Sequence, residues 1–328
     1  MILATVKKET RDFGMLLIDT VNRFLQDKCL KKSASLAYYS VFSIGPLILI
    51  LIWAVGFFYG NQLEGPTGAR DEIMQELSSL FGNDIAAMLN SAIQKISLES
   101  KSSIGLYIGI GALIFSSTTI FVDIQNSINE IWRVKAKPKK GWLKIIIDRL
   151  ISFSMVLGLG FLLMISLVLS SIIGLMTNHI VAYFPELNIQ SLSLVNSAIS
   201  FFLVATLFAF IFAFLPDARV RFKDIFWGSI FTTLLFLVGK YFISYYLSNN
   251  ATASSFGAAG SIIILLAFVY YAAAILYFGA EFTKCFAMKY GKGIRPNSYA
   301  VLVKQTELEI DLQTGMREIV ETEKSEIK

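Results

Sequence analysis

The chain has 328 residues, of which 55% are hydrophobic and 16% are charged, with a formal net charge of +5. Soluble globular proteins average roughly 45–50% apolar and about 25% charged residues, so this composition argues against a water-soluble globular fold. It also argues against a disordered chain and a disulfide scaffold, because apolar residues are abundant and there are only two cysteines.

Residues 1–32 predict an amphipathic arm. Apolar residues recur at helical spacing among Lys, Arg and Asp, namely at Phe13, Leu16, Leu17, Val21, Phe24 and Leu25. Such a helix either lies on the cytoplasmic membrane surface, where its basic residues favour anionic lipid head groups, or packs against the second cytoplasmic loop. We expect no signal peptide, because no short apolar core with a small-residue cleavage site follows a basic flank.

Six stretches are apolar and long enough to cross a bilayer, which takes about 20 helical residues. No Asp, Glu, Lys or Arg occurs at 33–63, 102–122, 150–185 or 187–216, and only Lys240 interrupts a fifth stretch. A backbone in lipid must satisfy its own hydrogen bonds, and these runs lack the alternation of barrel strands. We therefore predict an all-α polytopic membrane protein whose transmembrane domain, residues 33–290, has six helices at about 33–60, 102–122, 150–177, 192–215, 225–247 and 257–280.

The connecting segments differ in character. The loop at 61–101 repeats apolar residues every three to four positions, which predicts outer amphipathic helices that cap a cavity or rest at the membrane surface. Small polar residues at 248–255 favour a short turn, and a re-entrant segment over 248–260 is the alternative. Residues 291–328 are predicted to form an acidic cytoplasmic tail that stays in water and is partly disordered beyond Asn297.

The orientation follows from Lys and Arg, which cluster in short cytoplasmic loops. The arm, the second and fourth loops and the C-terminal region together hold 25 of them, and the opposite side holds three, all in the loop at 61–101. This asymmetry predicts that both termini are cytoplasmic.

Four segments in a fixed order carry a family resemblance. They are ASLAYYS at 34–40 leading to Pro46, SSTTIFVDIQNSINEIW at 116–132, LPD at 215–217, and GAE at 279–281. Together with the six predicted spans they resemble the YihY/BrkB family of bacterial inner-membrane proteins over about residues 20–290. One departure is Phe268, where the family pattern leads us to expect Trp.

The resemblance implies a multi-pass protein of the bacterial cytoplasmic (inner) membrane more than it implies an activity. The family was once labelled ribonuclease BN, a label generally regarded as mistaken. Its members are otherwise described as virulence or serum-resistance factors or as candidate transporters.

The residue inventory does not support an enzyme. A nuclease would need His and carboxylates clustered toward the cytoplasm, but the sole histidine, His179, falls in the third loop on the outer side. Cys29 and Cys285 fall at the reducing cytoplasmic boundary, where we expect apolar roles and no disulfide. No zinc pattern and no glycine-rich phosphate loop is present in the sequence. We expect no catalytic residue, metal, cofactor or nucleic-acid partner.

Polar side chains at membrane depth are the functional candidates, because lipid penalises them unless they are paired or hydrated. Asp123, Asn126 and Glu130 share one helix face by their spacing. They either line a cytoplasmic vestibule, or belong to a helix that leaves the bilayer near Val122, or form a structural ion pair with Lys144 or Arg149.

Four further positions complete the candidate set. Lys240 lies roughly 22 Å into the fifth span at about 1.5 Å per residue, where it either snorkels outward or faces a cavity as an anion-attracting charge. Glu281 ends the sixth span and can pair with Lys284. Pro46 breaks the hydrogen bonding of the first span, which also holds Tyr38.

Two functions fit this pattern. A transport or lipid-handling protein would enclose a cavity lined by Tyr38, Asp123, Asn126, Lys240 and Glu281, and would accept an anionic substrate or a lipid head group. A structural or partner-binding envelope protein would have a tightly filled bundle in which the polar residues only pair. We favour the first. In the second function the loop at 61–101 and the cytoplasmic tails would recruit other envelope components. Membrane lipids are expected partners, and the sequence does not define the oligomeric state.

Overall fold

The computed structural model of the chain describes residues 2–43, 103–137, 150–159, 189–249 and 258–304, with short pieces at 74–75, 78, 87, 90, 146–147, 161–162, 309–310 and 317–318. Helices dominate these segments. In chain order they are α1 (Ile2–Gln26), α2 (29–43), α3 (Ser103–Ile131), α4 (Leu150–Leu159), α5 (Ile189–Phe214), α6 (Phe222–Asn249) and α7 (Ala258–Tyr290).

Three of the described helices, α5, α6 and α7, are long and apolar enough to cross a membrane. They coincide with the predicted fourth, fifth and sixth spans, and α3 runs through the predicted second span to Ile131. The first and third predicted spans are described only in their first parts, which are helical. Most of the loop at 61–101 and residues 250–257 of the proposed re-entrant stretch lie outside the described residues. The total of six spans stays a prediction.

Helices α6 and α7 pack as antiparallel neighbours through reciprocal glycine and threonine contacts. A Cβ atom on Gly228 would overlap the side chain of Thr283, and a Cβ atom on Gly279 would overlap that of Thr232. Each threonine hydroxyl donates within its own helix, Thr232 to the Gly228 carbonyl and Thr283 to the Gly279 carbonyl, both at 2.7 Å. Small residues let membrane helices approach closely, so this pair forms a tightly packed centre of the described bundle.

Helix α1 packs against α7. The Phe24 ring lies 5.4 Å from that of Phe278 in an edge-on arrangement, and Leu16 is buried. Val21 and Leu25, which belong to the predicted apolar face, are instead exposed. The sequence left two placements open for the arm, on the membrane surface or against the second cytoplasmic loop. Leu16 and Phe24 pack on α7, and Asp27 at the end of the arm pairs with Arg133, where the predicted second loop begins. Most of that loop lies outside the described residues.

Two left-handed residues end helices at the same end of the bundle. Lys28 has φ 52° after α1, and Arg133 has φ 58° after α3. A left-handed residue just past a helix end directs the chain away from the helix axis. Both turns therefore bring a cation to the place where α1, α2 and α3 meet.

Short strands tie the chain beyond α7 to the loops at this end. Strand β1 (Val134–Ala136) pairs antiparallel with β4 (Ala300–Leu302), and β2 (Ala218–Arg219) pairs antiparallel with β3 (Arg295–Pro296). A further hairpin joins β5 (Glu309–Ile310) to β6 (Arg317–Glu318). Residues 295–302 are therefore docked and ordered, where the sequence predicted a solvated tail. We call this end of the bundle, which carries Asp27, Arg133, Asp217 and Lys284, the polar end.

Candidate functional site

A cavity of about 700 Å³ lies at the polar end, between the α1–α2 turn and the end of α3. The turn and the start of α2 contribute basic residues, and α3 contributes the polar face that its spacing predicted. The residues that give it its chemistry are Lys28, Lys31, Lys32, Asp123, Asn126 and Glu130. Its volume falls within the roughly 300–1,000 Å³ of ligand sites.

More basic side chains line this cavity than form ion pairs with described acidic residues. Lys32 Nζ pairs with Glu130 Oε2 at 2.6 Å. Lys28 and Lys31 are exposed, and neither forms an ion pair with another described residue. The partner of Glu130 is thus Lys32; Lys144 and Arg149, proposed from the sequence, lie outside the described residues. Two cations of this cavity are available to a ligand.

Four ionisable side chains form a cluster that begins at the cavity wall, where Asp27 and Arg133 lie, and continues behind it to Lys284 and Glu281; we call it the charge cluster. Asp27 pairs with Arg133 through one carboxylate oxygen and with Lys284 Nζ at 3.4 Å through the other. Lys284 Nζ also lies 3.2 Å from Glu281 Oε2, as the spacing of these two residues predicted. The side chains of Asp27 and Lys284 are each 5% exposed and that of Glu281 is fully buried. The cluster joins the α1–α2 turn, the end of α3 and α7.

The charge cluster sets the ionisation of two groups at the α1–α2 turn. Burial by itself would raise the pKa of Asp27, but hydrogen bonding with Glu281 and the positive charges of Lys284 and Arg133 lower it below its ordinary value. Burial, with the nearby carboxylates, raises the pKa of the Cys29 thiol to about 12. Asp27 is therefore an ion-pairing carboxylate, and Cys29 stays a protonated thiol.

Asp217 forms a second buried polar centre next to the cavity. Asn129 donates to its carboxylate at 2.9 Å, and the Asp217 amide donates back to the Asn129 side chain at 2.8 Å. The Tyr299 hydroxyl donates to the same carboxylate at 3.0 Å. These donors are neutral, so they can satisfy the carboxylate without a cation. Asp217 thereby joins α3, the α5–α6 connection and the chain beyond α7.

The other sequence candidates lie elsewhere. Glu281 is behind the cavity in the charge cluster, and Tyr38 is exposed on α2 with its ring 5.4 Å from that of Phe42. Lys240 is half-buried on α6 and does not line the cavity. Pro46 lies outside the described residues. The structure thus brings together Asp123, Asn126 and Glu130.

Four important positions were not among the sequence candidates, namely Asp27, Arg133, Asp217 and Lys284. In the sequence, Arg133 counts only as a loop charge, Asp217 only as part of a family segment, and Lys284 only as a partner of Glu281. The available signal was Asp27, a lone acid among the basic residues of the stretch 23–32.

The described residues give no sign of a metal centre, because no group of three His, Cys, Asp or Glu among them is arranged to hold an ion. Cys29 and Cys285 are both buried free thiols, in agreement with the apolar role expected for them. His179 lies outside the described residues. The cavity wall thus carries three lysines, Arg133, the Asn126 amide and the carboxylates of Asp27, Asp123 and Glu130, of which Asp27 and Glu130 form ion pairs.

Comparison with known proteins identifies similar chains. The profile of a family described as virulence factor BrkB matches residues 20–300. A UPF0761 membrane protein of Legionella pneumophila is 26% identical, with 86% of this chain and 65% of the relative covered. One of Chlorobium phaeobacteroides is 29% identical, covering 80% of this chain and 55% of the relative, and one of Saccharophagus degradans is 24% identical, covering 87% and 63%.

This chain thus spans between about half and two-thirds of the length of these relatives. No solved structure matches it.

Proposed function

The chain belongs to the BrkB virulence-factor family of membrane proteins, and from this premise we propose that it is a transport or lipid-handling protein that accepts an anionic group in the cavity at the polar end. We propose further that it is a multi-pass, non-enzymatic protein of the bacterial cytoplasmic membrane with six spans. The polar end and both termini then face the cytoplasm, because Lys and Arg concentrate there.

One observation carries this proposal: two lysines line a cavity of about 700 Å³ without an ion-pair partner among the described residues. An anion in the cavity would meet the charges of Lys28 and Lys31. Asn126, on the α3 wall, adds an amide that can donate a hydrogen bond. A phosphate or carboxylate group matches this chemistry best, whether it belongs to a lipid head group or to a soluble molecule.

The charge cluster would connect a ligand in the cavity to the helices around it. Arg133 lines the cavity and is held by Asp27, which is itself held by Lys284 of α7. A change in how the ligand engages Arg133 would therefore reach α1, α3 and α7 together. Such a connection suits a protein whose helices must move relative to one another during transport.

A second candidate is a structural or partner-binding envelope protein. The observation that favours it is that Glu130 pairs with Lys32 and Glu281 pairs with Lys284. Each of these acidic residues therefore has a partner within the protein and needs no ligand. Tyr38 also lies on the exterior of α2, where it can contact lipid or another protein. In this alternative the cavity has no ligand.

The test is binding of short-chain probes to the purified chain in a neutral detergent. Calorimetric titrations use dihexanoyl phosphatidylglycerol, pyrophosphate and, as the uncharged comparison, dihexanoyl phosphatidylcholine. We expect at least one anionic probe to bind more tightly than the uncharged lipid, and Lys28→Gln/Lys31→Gln to weaken it by about three- to tenfold, as expected for two exposed charge contacts.

The matched control is Lys292→Gln/Lys304→Gln, which removes the same charge from exposed positions beyond α7. It should leave the affinity of the bound probe unchanged. Equal binding of charged and uncharged probes, or equal loss in both double variants, would contradict the proposal and favour the structural alternative. Preference for phosphatidylglycerol over pyrophosphate would identify a lipid substrate, and the reverse would identify a soluble one.

A second measurement separates movement from static binding. Proteoliposomes that contain fluorescently labelled phosphatidylglycerol are treated with dithionite, which bleaches only the outer leaflet. Transport of the lipid predicts a faster loss of inner-leaflet fluorescence with the wild type than with Lys28→Gln/Lys31→Gln. Equal rates for both would exclude this lipid as the transported species.

A further inference from the structure

A separate apolar groove lies between the end of α5 and the start of α6. Its volume is about 670 Å³. The floor is made of small residues on one face of α5, Thr206, Ala209 and Ala213, and runs roughly 10 Å along the helix at about 1.5 Å per residue. The walls are aromatic: Phe210 and Phe214 come from α5, and Phe226 and Trp227 come from α6.

The polar groups of the groove are few and have defined positions. The Thr206 hydroxyl donates to the Phe202 carbonyl at 2.7 Å, so it makes its hydrogen bond within α5. Among the described residues that line the groove, Lys223 is the one charged side chain, and it is exposed. An apolar groove with a single basic residue is complementary to a lipid that has an acyl chain and an anionic head group.

The charged residues next to the groove also favour an anionic ligand. Arg221 is exposed two residues before Lys223. Asp224 is the nearest acid in the chain, but it is buried, and its carboxylate lies against Gly291 after the end of α7. The acid is therefore directed into the protein, and the basic residues remain exposed near the groove.

The position of the groove fits the boundary of a membrane. Helix α5 holds no charged residue, whereas the connection that follows it holds Arg219 and Arg221, and Lys223 lies in the first turn of α6. Phe222 is 76% exposed and Trp227 is 52% exposed at this boundary. Aromatic rings are enriched where acyl chains meet head groups, and basic residues next to them attract anionic lipids.

We propose that this groove is a binding site for an anionic phospholipid, with an acyl chain between the aromatic walls and the head-group phosphate at Lys223. The proposal does not depend on the function proposed for the cavity at the polar end, because the two sites share no lining residue. The lipid would bridge α5 and α6 on the outside of the bundle.

The test is native mass spectrometry of the full chain released from a neutral detergent. Equal amounts of dioleoyl phosphatidylglycerol and dioleoyl phosphatidylcholine are added as competing probes. We expect the wild type to retain phosphatidylglycerol preferentially. Lys223→Gln should lower that preference about fivefold, as expected for one lysine near a lipid surface. Ala209→Phe, which fills the floor of the groove, should reduce retention of phosphatidylglycerol at least about fivefold.

The controls keep the same chemistry at other positions. Ala267→Phe adds the same bulk at an exposed position of α7, and Lys292→Gln removes one exposed charge beyond it. Both should retain lipid as the wild type does, and circular dichroism should show the same helix content for every variant. Equal retention in Ala209→Phe and Ala267→Phe, or an unchanged lipid preference in Lys223→Gln, would overturn the site.

Discussion

Asp27 and Lys284 lie 257 positions apart in the chain, and their buried side chains form an ion pair at 3.4 Å. The pair joins the α1–α2 turn to α7, and Arg133 adds the end of α3 to the same carboxylate. The Asp27 carboxylate therefore links α1, α3 and α7 at the polar end. Removing one member of such a buried ion pair is costly, because the remaining charge loses a partner in a place that water does not reach.

Replacing Lys284 with methionine should destabilise the protein by about 3–5 kcal/mol. Methionine is similar to lysine in shape but one atom shorter and uncharged, so Asp27 and Glu281 lose the ammonium group that they share. Thermal or chemical unfolding in detergent measures the effect, and the exposed Lys292→Met should stay within about 0.5 kcal/mol of the wild type. In the Lys284→Met background, Glu281→Gln should cost less than it does alone. Additive costs would contradict direct pairing.

Asp27 should make stability depend on acid pH. Its pKa in the folded protein lies below its ordinary value, which is about 3.9. The stabilisation is therefore present above that value and is lost as the pH falls through the folded pKa. We expect the wild type to exceed Asp27→Asn in unfolding midpoint at pH 7, and the gap to narrow below about pH 4. A gap that is constant from pH 7 to pH 3 would contradict this assignment.

Gly279→Ala should destabilise the α6–α7 pair by about 1–3 kcal/mol, the usual cost of overpacking. The new Cβ atom would overlap the Thr232 side chain. Adding Thr232→Ala should recover part of the loss, because it removes two of the overlapping atoms. Gly14→Ala is the matched control in α1. Its Cβ atom would meet nothing within 4 Å, so the unfolding midpoint should be unchanged or higher.

Trp132→Phe should weaken the contact between α3 and α7. Trp132 is buried, and its Nε1 donates to the Ala280 carbonyl at 3.0 Å. Loss of this hydrogen bond costs about 1 kcal/mol, and the smaller ring adds the cost of a cavity. Trp227→Phe changes an exposed tryptophan and should leave the unfolding free energy within about 0.5 kcal/mol of the wild type. Similar losses in both variants would show that Trp132 has no special role.

Cys29 should resist alkylation in the folded protein. Its pKa of about 12 leaves little thiolate at pH 8, and the thiolate is the reactive form. In a Cys285→Ser background, N-ethylmaleimide should label Cys29 on the order of a thousandfold more slowly than it labels an ordinary thiol, and quickly after denaturation in SDS. An exposed comparison is Ser35→Cys with both native cysteines replaced by serine. Equal labelling rates of the two folded proteins would contradict the burial of Cys29.

The spacing of residues within one helix predicted part of the candidate site. Asp123, Asn126 and Glu130 share a face of α3 because their side chains recur with the helical period, and all three line one cavity. The pairing of Glu281 with Lys284 follows from the same local geometry. Lys32 was not predicted as the partner of Glu130, because helices α2 and α3 are brought together by packing that no local pattern encodes.

The sequence also did not predict that the chain beyond α7 pairs with two loops of the bundle, and the reason is similar. The strands within residues 295–302 have only two and three residues, and they pair with the loops at Val134–Ala136 and Ala218–Arg219, which are far away in the chain. An isolated two-stranded pair is marginal in water, so nothing in the tail alone predicts it. Tyr299 then reaches the Asp217 carboxylate.

By itself, the sequence determined the helical class, the apolar segments long enough to cross a membrane and the family, because each depends on composition or on the order of residues along the chain. Only the tertiary structure decided which charges meet. It brought Asp27 to Lys284 and Arg133, and left the side chains of Lys28 and Lys31 without an ion-pair partner among the described residues. The physical reason is that an ion pair acts over a few ångströms in space, whereas hydropathy and helical period act along the chain.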